Sequence, residues 1–203
     1  MKLIICSIGL FFTIFSALAQ DFSQMEKAFA KSYQYEADGE FSQAINTLEN
    51  VFSPDSYEIN LRLGWLNYLG GMHLKSVTYY ETAIELKPFS IEARLGYVIP
   101  QSILGNWTII KDQYFRILEI DEMNTLVNYR LGLIFYNEED YTSASRYFEK
   151  VVNQYPFDYD GTIMYAWTHL KTGKLRQAEI LFQKTLLIKP NDESAMEGLE
   201  MLK

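Results

Sequence analysis

The chain has 203 residues, 48% of them hydrophobic and 22% charged, which fits a folded domain and is too apolar for intrinsic disorder. Its formal net charge is −8; an acidic chain repels phosphates and anionic lipid, so nucleic acid is not an expected ligand. The one cysteine, Cys6, allows no intrachain disulfide, and stability has to come from packing.

In chain order, the first segment is a leader. Met1-Lys2 gives a positive start, Leu3 to Phe15 is almost wholly apolar, and Ala17-Leu18-Ala19 sets small residues around a Leu. This is the layout of a secretory signal peptide cleaved after Ala19. Residues 1–19 are expected to be removed, leaving 20–203 as the mature domain. The apolar run is shorter than the roughly 20 residues a spanning helix needs, so no stable membrane insertion is expected after cleavage. Cys6 lies inside that run rather than at the cleavage point, which argues against a lipid anchor. Cleavage removes Lys2 and Cys6, so thiol catalysis goes with the leader. The expected location is periplasmic or secreted, in a bacterium.

The remainder is periodic. Pro54, Pro88, Pro156 and Pro190 share one 34-residue register, with Glu122 in the vacant place. Gly71, Gly105, Glu139 and Gly173 form a second series with the same step. Such periods mark repeat architectures.

Five copies are read over about 23–56, 57–90, 91–124, 125–158 and 159–190. The first is weak, with Tyr35, Gly39, Ala44 and Leu48. The second holds Leu63-Gly64, Ser76, Tyr80, Ala83 and Pro88. The third is irregular: Leu95-Gly96 comes two residues early, Pro100 lies inside the first helix, and Ile110 takes a position that is small elsewhere. A helix kinked or broken near Pro100 is expected there, with Trp107 opening the second helix. In the fourth, Leu131-Gly132 sits mid-way along a first helix, with Phe135 four residues beyond the Leu, and 137–140 is a polar turn. Tyr141, Ala144, Phe148 and Val151 then mark one face of a second helix, and Pro156 ends it. The fifth carries Ala166, Gly173, Ala178, Phe182 and Pro190. Asn191-Asp192 starts a closing helix over 192–202, with Ala195, Met196, Leu199 and Leu202 as its apolar stripe. Terminal repeats need such a cap. Eleven helices are expected.

These residues resemble the tetratricopeptide repeat (TPR) family, whose pattern is Trp-x-x-Leu-Gly-x-x-Tyr, Ala-x-x-x-Phe, Pro over 34 residues. The early Trp is replaced by Asn60, Asn128 and Thr162. The resemblance covers about residues 23–190 and implies an all-α solenoid, a right-handed superhelix of about five helix-turn-helix repeats. Gly64, Gly132, Ala44, Ala144 and Ala178 are expected where helices approach closely, and Tyr80, Phe148 and Phe182 in the gaps between repeats. The resemblance also implies that first helices line a concave partner face. Its register puts Phe29 and Tyr33 there, then Leu61, Trp65 and Tyr68, then Tyr129, Leu133 and Tyr136, then Ile163, Trp167 and Leu170. Arg62, Arg130 and Lys171 lie beside that row. Rigid aromatics with a flanking Arg are typical of binding hot spots; the alternative for each ring is ordinary core.

Motifs for catalysis are missing. The two histidines, His73 and His169, have no neighbouring ligands at metal-site spacing. Asp158-Tyr159-Asp160-Gly161 resembles the start of a calcium loop, but the twelfth position is His169 rather than an acid, so a capping corner is expected. Glu138-Glu139-Asp140 reads as a solvated turn. No phosphate loop, Gly-x-Ser-x-Gly elbow or His-Glu-x-x-His helix occurs. The expectation is a non-catalytic adaptor of the cell envelope without cofactor or metal, holding a protein or peptide segment in its groove. Two other readings are a glycan or cell-wall module using the same rings, and a structural subunit docked through its convex side.

Overall fold

The computed structural model describes residues 22–203 and is all-α. The expected signal peptide, 1–19, lies outside the described residues. Eleven helices occur among the described residues. They are α1 (22–37), α2 (Phe41–Glu49), α3 (Tyr57–Leu69), α4 (His73–Leu86), α5 (Ile91–Ile103) and α6 (Trp107–Ile120). The rest are α7 (Thr125–Asn137), α8 (Tyr141–Gln154), α9 (Tyr159–Lys171), α10 (Leu175–Ile188) and α11 (Glu193–Glu200). The fold is of the α-solenoid class. The chain forms two compact units, one ending at Ile110 and the other beginning at Lys111, inside α6. In the first, α2 packs on α3, α3 on α4 and α4 on α5. In the second, α7 through α11 pack each on the next.

The period has a chemical basis at each corner. Side chains of Ser56, Ser90, Asn124, Asp158 and Asp192 accept hydrogen bonds from Ile59, Ala93, Val127, Gly161 and Ala195 N–H. These caps open α3, α5, α7, α9 and α11 at 34-residue steps, and each contributes about 1 kcal/mol. Asp158 therefore caps a helix, as its corner position suggests. At the family's early Trp position, three residues reach back to the preceding corner, while the Thr162 hydroxyl does not. Asn60 Nδ2 donates to Pro54 O at 3.0 Å, Arg94 Nη2 to Pro88 O at 2.8 Å, and Asn128 Nδ2 to Glu122 O at 3.0 Å.

The turn inside each helix pair uses a left-handed residue: Gly39, Gly71, Gly105 and Gly173 have φ between 72° and 75°. Glu139, in the same register, is held at φ 61°, a conformation that costs a residue with a Cβ about 1 kcal/mol. The first pair departs from the pattern, since α2 has 9 residues where α4, α8 and α10 have 14.

Aromatic plugs fill the gaps between helix pairs, as expected of Tyr80, Phe148 and Phe182. A Cβ on Gly64 would lie 2.9 Å from the Tyr80 ring and one on Gly96 only 2.3 Å. The same test gives 2.6 Å between Gly132 and Phe148, and 2.2 Å between Gly198 and Phe182. Gly96 is therefore not an early copy of Gly64. It stands in register with Arg62, Arg130, Met164 and Gly198, while Tyr97-Val98 occupy the Leu-Gly place.

Of the kink or break expected at Pro100, the break does not occur. The helix α5 runs unbroken through it to Ile103 and has the same 13 residues as α3, α7 and α9. Pro100 sits in the last turn, so the ladder loses one bond, that to the Gly96 carbonyl. The ring is buried at the place that Leu66 fills one repeat earlier. Trp107 opens α6, as the sequence implies.

Candidate functional site

In the first unit, α1, α3 and α5 line an open cavity of about 460 Å³, to which Tyr80 of α4 also contributes. Phe29 and Tyr33 come from α1, Tyr57, Glu58, Leu61, Arg62 and Trp65 from α3, and Glu92, Gly96 and Ile99 from α5. The one-turn spacing of Glu58, Leu61, Arg62 and Trp65 on α3 puts all four on one side of that helix. Four of the site residues read from sequence, Tyr33, Leu61, Arg62 and Trp65, thus meet in one place.

Their roles differ. Arg62 is only 7% exposed and forms an ion pair with Glu36 of α1. Its Nε donates to Ser32 Oγ at 3.3 Å, and the Tyr33 ring lies over the guanidinium at 3.8 Å. Arg62 is therefore a structural cation in the wall rather than a mobile one on the edge. Trp65 Nε1 donates to the other Glu36 oxygen at 2.6 Å, so one carboxylate holds both side chains. Tyr33 is 56% exposed and available to a partner. Tyr68 does not line the cavity; its ring lies against Trp65 at 5.5 Å and His73 at 5.8 Å.

The rim is acidic and ordered. The Tyr57 hydroxyl shares a 2.7 Å hydrogen bond with Ser90 Oγ and donates to Glu92 at 3.4 Å. Lys87 pairs with Glu58 at 3.0 Å and sits 4.0 Å over the Tyr57 ring. Backbone hydrogen bonding first, then Lys87, holds the Glu58 carboxyl below its ordinary range. Burial pushes the Tyr80 hydroxyl far up, so it stays neutral.

In the second unit the remaining residues serve packing or face solvent. Tyr129 is half-buried against Phe148 at 6.0 Å, and Tyr136 meets Tyr141 edge-on at 5.2 Å. Trp167 meets Phe182 edge-on at 5.1 Å, and its Nε1 donates to Ser194 of α11 at 2.9 Å. That tryptophan thus fastens the last helix. Arg130 and Lys171 are exposed. Leu133 and Leu170 are half-buried, and Ile163 is buried.

Sequence reasoning missed Glu36, whose role depends on two residues of the next repeat. It also missed Tyr57, Glu92 and Gly96. An acid four residues before the Arg62 register position, at both Glu58 and Glu92, was the available signal. His169 is buried with its ring 4.2 Å from Tyr165, and burial, then Lys174, lowers its pKa. Among the described residues no three His, Cys, Asp or Glu side chains cluster to hold a metal, and no helix is long and apolar enough to cross a membrane.

Comparison with known proteins fits this geometry. Tetratricopeptide repeat family patterns match residues 57–90 and 136–200. A tetratricopeptide repeat protein from Parabacteroides merdae superposes with a TM-score of 0.74 at 19% identity, covering 89% of this chain and 72% of that one. The MamA protein superposes with a TM-score of 0.70 at 18% identity, covering 82% and 92%. At these identities the likeness is one of fold. No curated protein matches the sequence. The chain thus carries tetratricopeptide repeats over 57–90, which is the α3–α4 pair, and over 136–200, from the end of α7 through α11.

Proposed function

We propose that the chain is a non-catalytic interaction scaffold of the bacterial cell envelope that holds a segment of a partner protein in the cavity of its first unit. The observation that carries this reading is the cavity itself, walled by first helices and bordered by the exposed Tyr33 ring. A preformed, largely apolar concavity with a few fixed polar groups is the usual form of a binding site. Aromatic walls bury much area at low entropy cost. Export rests on the leader-like residues 1–19. Recovery of the protein from the envelope fraction, with a mass lacking those residues, is expected; recovery from the cytosol with Met1 intact would overturn it.

A photoreactive side chain placed at Tyr33 or Leu61, and for contrast at Ile180, tests the site in envelope extract. An adduct with one protein from positions 33 and 61, and none from 180, is expected. The second reading, docking through second helices, is favoured by α10, where Ile180 and Leu187 are 55% and 75% exposed and lie seven residues apart on one stripe. An adduct from position 180 alone would move the partner there.

A further inference from the structure

We propose that the first-unit cavity selects a basic–apolar segment, in which a large apolar side chain enters beside Tyr33, Leu61 and Trp65 and an adjacent Lys or Arg pairs with Glu92. This inference rests on reading the cavity as the partner site, and it specifies the partner's chemistry.

Charge bookkeeping around the cavity gives the sign. Arg62 is balanced by Glu36, and Glu58 by Lys87. The residual charge among these side chains is the exposed Glu92 carboxylate, which takes a 3.4 Å hydrogen bond from the Tyr57 hydroxyl. On a helix, an acid and a base four residues apart face each other. In α3 that spacing is filled by Glu58 and Arg62; in α5 the same places hold Glu92 and Gly96. Glycine is required at 96 because even a Cβ would meet the Tyr80 ring at 2.3 Å. The helix therefore presents the acid without a base one turn further on, so Glu92 has no cation on its own helix at that spacing. The chain's net charge of −8 favours a cationic partner in the same sense.

The cavity supplies the other half of the match. About 460 Å³ is within the range of pockets that bury a small ligand, enough for one large side chain and its own peptide groups. Arg62 Nη2, in a side chain more than nine-tenths buried, has no acceptor among the described residues. That atom is itself shielded from solvent, so it belongs to the wall, and the preference for a cation rests on Glu92.

Selection from a random peptide library on the full chain tests this, with native protein, Glu92→Lys and Leu61→Trp as baits and circular dichroism as the fold check. Native baits are expected to enrich peptides with an aromatic or large aliphatic residue next to Lys or Arg. Those peptides are expected to lose about tenfold in affinity to Glu92→Lys, with the difference shrinking in high salt, and to be excluded by Leu61→Trp. Binders excluded by Leu61→Trp but without basic bias, and indifferent to position 92, would overturn the inference and leave the cavity as the site. Acidic binders would do the same. Binders indifferent to Leu61→Trp, or no binders at all, would overturn both. Should that variant not fold, Tyr33→Ala, a change at an exposed position, replaces it with the same outcomes.

Discussion

The two units use one repeat and reach opposite results at the same register position. In the first, Arg62 turns inward to Glu36 under the Tyr33 ring, and Gly96 one period later carries nothing, so a cavity opens. In the second, Arg130 stays in solvent, and Met164 packs on the core of Ile163, Ala166 and Phe182. The aromatic plug is common to both, as Tyr80 and Phe148. What differs is the layer above the plug, and the contrast teaches that a TPR frame can vary its inner face without altering its core.

Four experiments would break or sharpen that contrast. The largest effect is expected from the shared plug: Phe148→Ala and Tyr80→Ala should each cost about 3–5 kcal/mol in denaturant unfolding. A small loss at Tyr80 alone would mean that the first unit is already loosely packed. Next is the inward arginine. Glu36→Gln strands a buried guanidinium and should cost about 3 kcal/mol, whereas Arg130→Met in the second unit should change stability by no more than about 0.5 kcal/mol. Equal losses would erase the distinction between the two arginines. Third comes the turn inside the helix pair, where Glu139→Gly should raise the unfolding free energy by about 0.5–1 kcal/mol. No gain would show that the strain is relieved by neighbours.

The smallest effect concerns His169, buried in the second unit with its pKa lowered by desolvation and then by Lys174. Its proton is taken up more readily by the unfolded chain. Its contribution to stability is therefore complete above the ordinary value of 6.5 and is lost as pH falls through the lowered one. Unfolding midpoints from pH 8 down to 5 should fall in the native protein and flatten in His169→Phe. A parallel decline in both would assign the effect to other groups.

Much of the fold was legible because prolines and glycines act through the backbone alone. Pro88 and Gly71 recur with their kind at a 34-residue step, and that recurrence translates directly into corners. The caps were harder to see, since Ser90, Asn124 and Asp158 do one job with three different side chains. Pro100 misled because a proline's effect depends on how far the helix has to run; three residues from the end of α5 it breaks one bond and fills a buried place. The concave register was legible as a list of positions. Its division into wall, fastener and solvent-facing residues was not, because Arg62 depends on Glu36 and Trp167 on Ser194, about thirty residues away in each case. Such partners are set by the packing of neighbouring repeats, on which a period says nothing.

The tyrosines that begin α3 and α9 carry a consequence for motion. Tyr57 bonds the cap of α5 through Ser90, and Tyr159 bonds the cap of α11 through Asp192 at 2.7 Å. The same position holds Ile91 and Thr125 elsewhere, and Thr125 turns instead to Gln154. Fraying of a helix start is ordinarily a private event, but α5 and α11 cannot open at the cap without breaking a bond to an earlier helix. Their breathing is geared to that of the preceding pair, while α7 and α9 start without that link.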